Sequence, residues 1–514
     1  MMNAFDSIAQ AVADNGCTRV FGVPGGGPNL DLIGAFNRRG IEFVLAHTET
    51  GAAIMAATFS VVTNTVSAVI VTRGPGAAAV VNGAASATLD RAPLLVITDC
   101  VPEANRATTG HQRFDQRAMM RSVTLRTARI GNDVTQEQIA DLIATATGPL
   151  AGAVHIDLDA QSSTDIDEAS HHPSNSHLVS ATEMRERLTS CTSPVVICGS
   201  QAPSDCRDAL ERFGAPTLTT YQGAGLLPEG HPLLAGMFTN ATPERELLSD
   251  ADLVILIGFD DVEPLPGTWP MTGDVISIDT FPISHTFAPV SMTFIGHASD
   301  VLPERLNDPR DPTQHVAGVR SRLADASRPL GPIELVRSAA EVMPDEAVVT
   351  VDAGAHFLAV MPFWPITRRK QIFISNGLAT MGYALPAAIG AACGDPTRPV
   401  IAFTGDGGIH MALSELETLQ RFQLPVCVAV FNDSELTLIR LKQREEQGGE
   451  QAVAYGPTDF AAIAMSVGMT SSVVTEPEQL FPAFRHALQS GRPHLVDVRL
   501  DATEYDHILR VSRG

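Results

Sequence analysis

The chain has 514 residues, 44% of them apolar, with 41 glycines, 34 prolines and a formal charge of −23 from 35 basic and 58 acidic side chains. That length exceeds what one hydrophobic core usually supports, and the apolar, turn-rich composition excludes a largely disordered chain. The acidic surface argues against nucleic acid or an anionic membrane as partner, and no apolar run reaches the about 18 residues of a membrane span.

The first residues, MMNAFDSIAQAVADNG, predict a soluble helix and not a signal peptide, because they lack a basic region and a continuous apolar stretch. Short apolar runs follow at residues 19–21, 43–46, 67–72, 94–98 and 153–157, with glycine-containing turns after several and helical patterns between them. Such alternation predicts a mainly parallel sheet covered by helices. Residues 162–180 are polar and rich in Ser, His and Asp, which predicts a linker with a solvent-facing His171–His172 pair. A second unit has strand runs at 194–198, 216–220, 253–258, 275–279 and 293–296 and a helix over 205–213. Residues 301–325 predict a charged exit segment and second linker, before strand runs at 347–350, 371–375, 399–404, 426–431 and 494–499. The economical parse is three successive α/β domains over residues 1–160, 180–325 and 333–514. Seven widely spaced cysteines without a CxxC pair predict free thiols in a reducing, cytoplasmic setting.

Asp406 lies in a GDGG turn directly after one strand run, and Asp433 directly after the next. A helical crossover brings two such turns to one edge of a parallel sheet. Two carboxylates beside glycine amides there suit a hard divalent cation bridging to a diphosphate. Glu49 opens the small-residue helix TGAAIMAATF, where position alone permits a plain N-terminal carboxylate. Met381, flanked by Gly377, Gly382 and alanines, is unusual for ordinary core packing. No GxGxxG with a downstream acidic residue marks a nicotinamide site; the glycine-rich stretch at 22–27 contains Pro24.

Through FGVPGGG, ETGAA, RGPGAA, GLATMGYALPAAIGA and GDGG…ND, in that order, the chain resembles thiamine-diphosphate-dependent enzymes of the acetolactate synthase and 2-oxo-acid decarboxylase superfamily, benzoylformate decarboxylase-like members included. The resemblance covers essentially the whole length and implies pyrimidine-binding, central Rossmann-like and diphosphate-binding domains. It implies Mg²⁺ held by Asp406, Asp433 and the backbone carbonyl of Glu435, with Asp433 where most relatives have Asn. Pro24, Gly25, Gly354, His356, Gly405, Gly407 and Gly408 fall at cofactor-contacting positions, although Ala355 replaces the usual Gln before the histidine. Glu49 matches the glutamate that promotes the imino tautomer of the aminopyrimidine, and Met381 the residue beneath the bent cofactor.

The chemistry implied is attack of the cofactor's C2 ylide on a small 2-oxo acid, loss of CO₂, and protonation of the enamine or its addition to a second carbonyl. His111 and Gln112, in TTGHQRFD, are the candidate substrate-side catalytic residues, and His47 stands where synthases often have Arg. CGSQ and GFDDVEPLP lack the flavin signals of acetolactate synthases, so FAD is not expected. The polar segment 442–457 is a candidate lid, whereas the short tail EYDHILRVSRG offers no elaborate one. Two incomplete half-sites in separate domains imply a homodimer at least, with the site at its interface, and a homotetramer is common among relatives. The alternatives are a lyase acting on 2-hydroxy ketone or CoA substrates, a non-catalytic homologue, and an NAD-dependent dehydrogenase. Presence of Glu49, the GDG turn and Met381 argues against a non-catalytic chain.

Overall fold

The computed structural model describes residues 3–168, 177–304, 310–449 and 451–513, and they form three sheets. The first has the order β2-β1-β3-β4-β6-β5-β7. Its strands are β1 (Arg19–Val23), β2 (Glu42–Leu45), β3 (Ser67–Val71), β4 (Leu94–Asp99), β5 (Arg126–Ile130), β6 (Ala153–Leu158) and β7 (Asp165–Ile166). Every pairing is parallel except β5 with β7. β3 and β4 are buried at every position, as strands covered by helices on both faces must be.

The second sheet, order β10-β9-β8-β11-β12-β13, is wholly parallel. It comprises β8 (Pro194–Cys198), β9 (Thr217–Thr219), β10 (Leu234–Met237), β11 (Leu253–Ile257), β12 (Asp274–Asp279) and β13 (Met292–Ile295). The third, order β15-β14-β16-β17-β19-β18, is parallel too. Its strands are β14 (Val348–Val351), β15 (Ile372–Ile374), β16 (Val400–Gly405), β17 (Val426–Asn432), β18 (Thr470–Val474) and β19 (His494–Arg499).

Two expectations need correction. The first predicted linker contributes β7, which closes the edge of the first sheet through Ala128 opposite Ile166 and is held by a 2.8 Å Arg117–Asp165 ion pair. Its His171–His172 pair lies outside the described residues. The second contains a 13-residue helix, Pro312–Ala324, capped by Asp311 and anchored through buried Leu323. Its apolar positions are sparse, which hid the helical period.

One continuous apolar cluster joins the first and third sheets. The helix Glu49–Thr63 is buried from Gly51 through Ser60, and the helix Ala384–Gly394 is buried from Ala384 through Cys393. Helices apolar on all sides belong in an interior, and alanine and glycine let these two approach closely. At Gly390 a Cβ would overlap the backbone carbonyl of Met55. The turn before the first of these helices is held by Glu415, which accepts from the backbone N–H groups of His47 and Thr48.

Candidate active site

Asp406 opens the helix Asp406–Ala412 at the carboxyl end of β16, where free amides favour a carboxylate. It is 2% exposed and well bonded. Its Oδ1 accepts from Gly407 N–H and from the Tyr455 hydroxyl, both at 2.6 Å. Its Oδ2 accepts from the backbone N–H groups of Asp433 (3.1 Å) and Ser434 (2.5 Å). The turn after β17 therefore folds onto the turn after β16, with Ser434 left-handed at φ 63°. Burial, and then the charge of Asp406, push the Asp433 carboxyl well above the usual range; the Thr437 hydroxyl donates to it. The Glu435 side chain turns away to Arg440 Nε at 2.7 Å, and its backbone is the part that faces the Val453–Tyr455 segment.

Met381, Leu436 and Tyr455 converge over Gly407. A Cβ there would stand 2.6 Å from Leu436 Cδ2 and 3.2 Å from both Met381 Cε and the Tyr455 hydroxyl. At Gly408 a Cβ would overlap the carboxylate of buried Asp352. Side chains at these two positions would fill the cradle. Burial raises Asp352 to about 6, and it accepts hydrogen bonds from Thr404 Oγ1 (2.7 Å) and Tyr383 N–H (2.8 Å).

His356 lies between Gly354 and Gly405 and stacks on Phe431 at 5.3 Å. It is 4% exposed, burial lowers it to about 3, and its buried Nε2 has no partner among the described residues. A neutral imidazole with an orphaned ring nitrogen beside a glycine turn fits a bound phosphate oxygen. Among the described residues no three His, Cys, Asp or Glu side chains are arranged to hold a metal alone. Two carboxylates and a carbonyl would need ligands from a diphosphate and water to complete an octahedron. The donor set fits a Mg²⁺–diphosphate group.

The other predicted residues gather at the first sheet. β1 has β2 on one side and β3 on the other, so strand order reverses between β1 and β3, and ligand crevices open at such points. Gly25, next to Pro24, lies there against Thr72. Glu49 follows the N-cap Thr48 and is half-buried, its carboxylate 3.5 Å from where a Cβ on Gly76 would stand. It accepts no hydrogen bond among the described residues. Exposed Gln112 sits over Gly74 with φ 54°, whereas His111 is exposed in the neighbouring loop. No hydrogen bond or ion pair among the described residues links Glu49 or Gln112 to Asp406, Asp433 or His356. The predicted residues of this chain thus fall into two groups that no such contact joins.

Sequence reasoning missed three participants. Glu415, fully buried, accepts from the backbone N–H groups of His47 (3.1 Å) and Thr48 (3.0 Å) and so fixes the turn presenting Glu49. Asp352 and Tyr455 have no motif that flags them, although Tyr455 lies in the predicted lid segment. That segment begins inside the helix Thr437–Gln447, and its end packs down on Asp406.

In the central sheet, Glu263 occupies the crevice at the strand ends. It accepts from Ser200 N–H (3.0 Å) and Thr220 Oγ1 (2.6 Å), and burial raises it to about 7. Asp279, ending β12, pairs with His285 at 3.2 Å.

Three family profiles match the chain in order: the thiamine pyrophosphate enzyme N-terminal TPP-binding domain over residues 2–119, the central domain over 181–304, and the C-terminal TPP-binding domain over 352–498. The chain belongs to the thiamine-pyrophosphate-dependent enzyme family, and within it to the acetolactate-synthase-like group. It is 27% identical to the acetolactate synthase of Bacillus subtilis (strain 168), over 97% of this chain and 93% of the relative. Acetolactate synthase isozyme 1 large subunit of Escherichia coli (strain K12) is also 27% identical, over 97% and 94%. The acetolactate synthase large subunit of Lactococcus lactis subsp. lactis (strain IL1403) is 29% identical, over 97% and 92%. No described helix is long and apolar enough to cross a membrane.

Proposed function

We propose that this chain is a thiamine-diphosphate- and Mg²⁺-dependent enzyme that breaks or forms the carbon–carbon bond beside the carbonyl of a small 2-oxo acid. The observation that carries the reading is the convergence of Asp406, Met381 and the glycine turn 405–408, with the orphaned Nε2 of His356 beside it. The similarity to acetolactate synthases supports the substrate class.

When bound, the cofactor supplies an acidic C2 carbon and an electron sink for decarboxylation. Asp406, Asp433 and the Glu435 carbonyl would hold the metal, and the Gly407 and Gly408 amides and His356 would meet the diphosphate. Met381 would support the ring pair, since a flexible thioether packs well against aromatic surfaces. Glu49, whose carboxylate has no hydrogen-bond partner among the described residues, would hold a proton at the aminopyrimidine N1′. His111 and Gln112 would orient the substrate carboxylate or move a proton at its carbonyl.

Since Glu49 and Asp406 stand in separate groups within one chain, a homodimer that joins the two groups across its interface is the minimum active unit, and a tetramer is compatible. Flavin has no role in this reading, because Glu263 and the Asp279–His285 pair occupy the central crevice. The seven described cysteines are buried free thiols, which supports a reducing, cytoplasmic setting.

NMR product analysis tests the proposal, with Mg²⁺, thiamine diphosphate and pyruvate, a branched-chain oxo acid or benzoylformate, each with and without an aldehyde acceptor. An aldehyde indicates a decarboxylase; acetolactate or a 2-hydroxy ketone indicates a carboligase. Inertness towards all of them, in protein that binds the cofactor, would refute the 2-oxo-acid reading.

A further inference from the structure

We propose that one polar face of the helix Val81–Leu89 sets the position of Met381, making Asn82, Ser86 and the C-cap residue Asp90 positioning residues for the reaction. This rests on the cofactor reading above. The three residues are spaced by four, so they line one helix face. Each holds one point of the segment 375–380, which ends one residue before Met381. Thr380 Oγ1 donates to Asn82 Oδ1 at 3.0 Å, the Ser86 and Ser375 hydroxyls lie 3.2 Å apart, and Gly377 N–H donates to Asp90 Oδ1 at 2.9 Å.

The segment needs such anchors. It contains no regular helix or strand, and Ala379 is left-handed at φ 53°, a conformation an alanine does not adopt unaided. Gly377 is wedged so closely that a Cβ would stand 2.5 Å from Leu89 Cβ and 2.9 Å from Val262 Cγ2. The central sheet's unit reinforces the same points. Gln222 Nε2 donates to Asp90 Oδ1 at 3.1 Å, and Asn376 Nδ2 donates to the Glu263 carbonyl at 3.1 Å. Asp90 therefore joins groups from all three sheets' units.

The flank of the helix beside this face meets the element that carries Glu49. A Cβ on Gly83 would stand 2.5 Å from Ala53 Cβ and 3.0 Å from the Thr50 carbonyl. The same helix is thus seated on the element that opens with Glu49 while its polar face holds the Met381 segment. Misplacing a reacting group by about 1 Å can cost about 10²-fold in rate, so this brace acts on chemistry without touching substrate.

The test uses Asn82→Ala, Asp90→Ala, the conservative Asp90→Asn, and Met381→Ala as reference. In cofactor-free protein, amide hydrogen exchange of a peptide covering 375–382 should quicken about 10-fold in N82A and D90A, and less in D90N, which keeps an acceptor for Gly377. In protein loaded with Mg²⁺ and thiamine diphosphate in D₂O, loss of the cofactor's C2 proton is followed by NMR after acid quench. It should slow about 10-fold in N82A and D90A, as in M381A, while cofactor affinity changes less than about 3-fold. Asn82 is exposed, so N82A remains informative if D90A does not fold. Wild-type C2 exchange in N82A and D90A, with M381A slowed, would overturn the brace and leave the cofactor reading standing. So would an unchanged 375–382 peptide. Absence of C2 exchange in the wild type would overturn the cofactor reading, and the brace with it.

Discussion

The hydroxyl of Tyr455 donates a 2.6 Å hydrogen bond to Oδ1 of Asp406, tying the segment after the helix Thr437–Gln447 to the carboxylate at the head of the glycine turn. Partners of this kind orient metal-binding carboxylates, and losing one costs about 10–100-fold in metal affinity. Tyr455→Phe should therefore weaken Mg²⁺-dependent retention of thiamine diphosphate about 10-fold while the melting temperature stays close to wild type. Equilibrium binding at limiting Mg²⁺ checks this; unchanged retention would show that the phenol does not orient Asp406.

Glu49 is half-buried, has no side-chain hydrogen bond among the described residues and is held by a turn that Glu415 fixes. Glu49→Gln should keep the fold and cofactor binding and lower turnover at least about 100-fold, as for loss of a general acid–base partner. Steady-state rates alongside a cofactor titration test it, and full activity would remove Glu49 from the proposed machinery.

What the sequence made legible follows physical pattern. β3, β4, β11 and β17 each contain an unbroken apolar run of at least four residues, because both faces are covered. β5 escaped notice because Arg126 and Arg129 break its run. β18 did so because its sequence TSSVV is a partly exposed edge, and β10 because LAGM is short and contains glycine. The glycine turn that carries Asp406 and the small-residue helix that Glu49 opens are legible because their glycines and alanines cluster directly after apolar strand runs. Glu415, Asp352 and Tyr455 act through contacts made only in three dimensions, with partners 49 to 368 residues away in two of the cases. Nothing in their local sequence distinguishes them from ordinary helix, strand-end or loop residues.

His285 sits between Asp261 and Asp279 in the central unit. Burial lowers its pKa, but the Asp261 and then the Asp279 carboxylate outweigh that and raise it to about 9. The folded state thus holds this proton more tightly than the unfolded chain. The stability gained is complete below about pH 6.5 and is lost as pH rises through 9. Chemical unfolding of cofactor-free wild type and His285→Gln should show a stability gap that narrows by about 2–3 kcal/mol between pH 6 and 9.5. A gap independent of pH would mean the imidazole is not held protonated.

Gly390 lies against the Met55 carbonyl, where the two alanine-rich helices of the first and third units cross. Gly390→Ala forces them apart and should destabilise the protein by about 1–3 kcal/mol, the usual cost of overpacking. Urea unfolding measures it, and an unchanged midpoint would mean the helix pair yields more readily than its burial implies.

Titration of purified protein with thiamine diphosphate, with and without Mg²⁺, in wild type and Asp406→Ala, tests most directly whether the two gathered carboxylates and the glycine turn form a cofactor site. We expect saturable binding that requires Mg²⁺ and is lost in D406A while the fold is kept. Absence of binding to the wild type, or equal binding without Mg²⁺ and in D406A, would contradict that assignment.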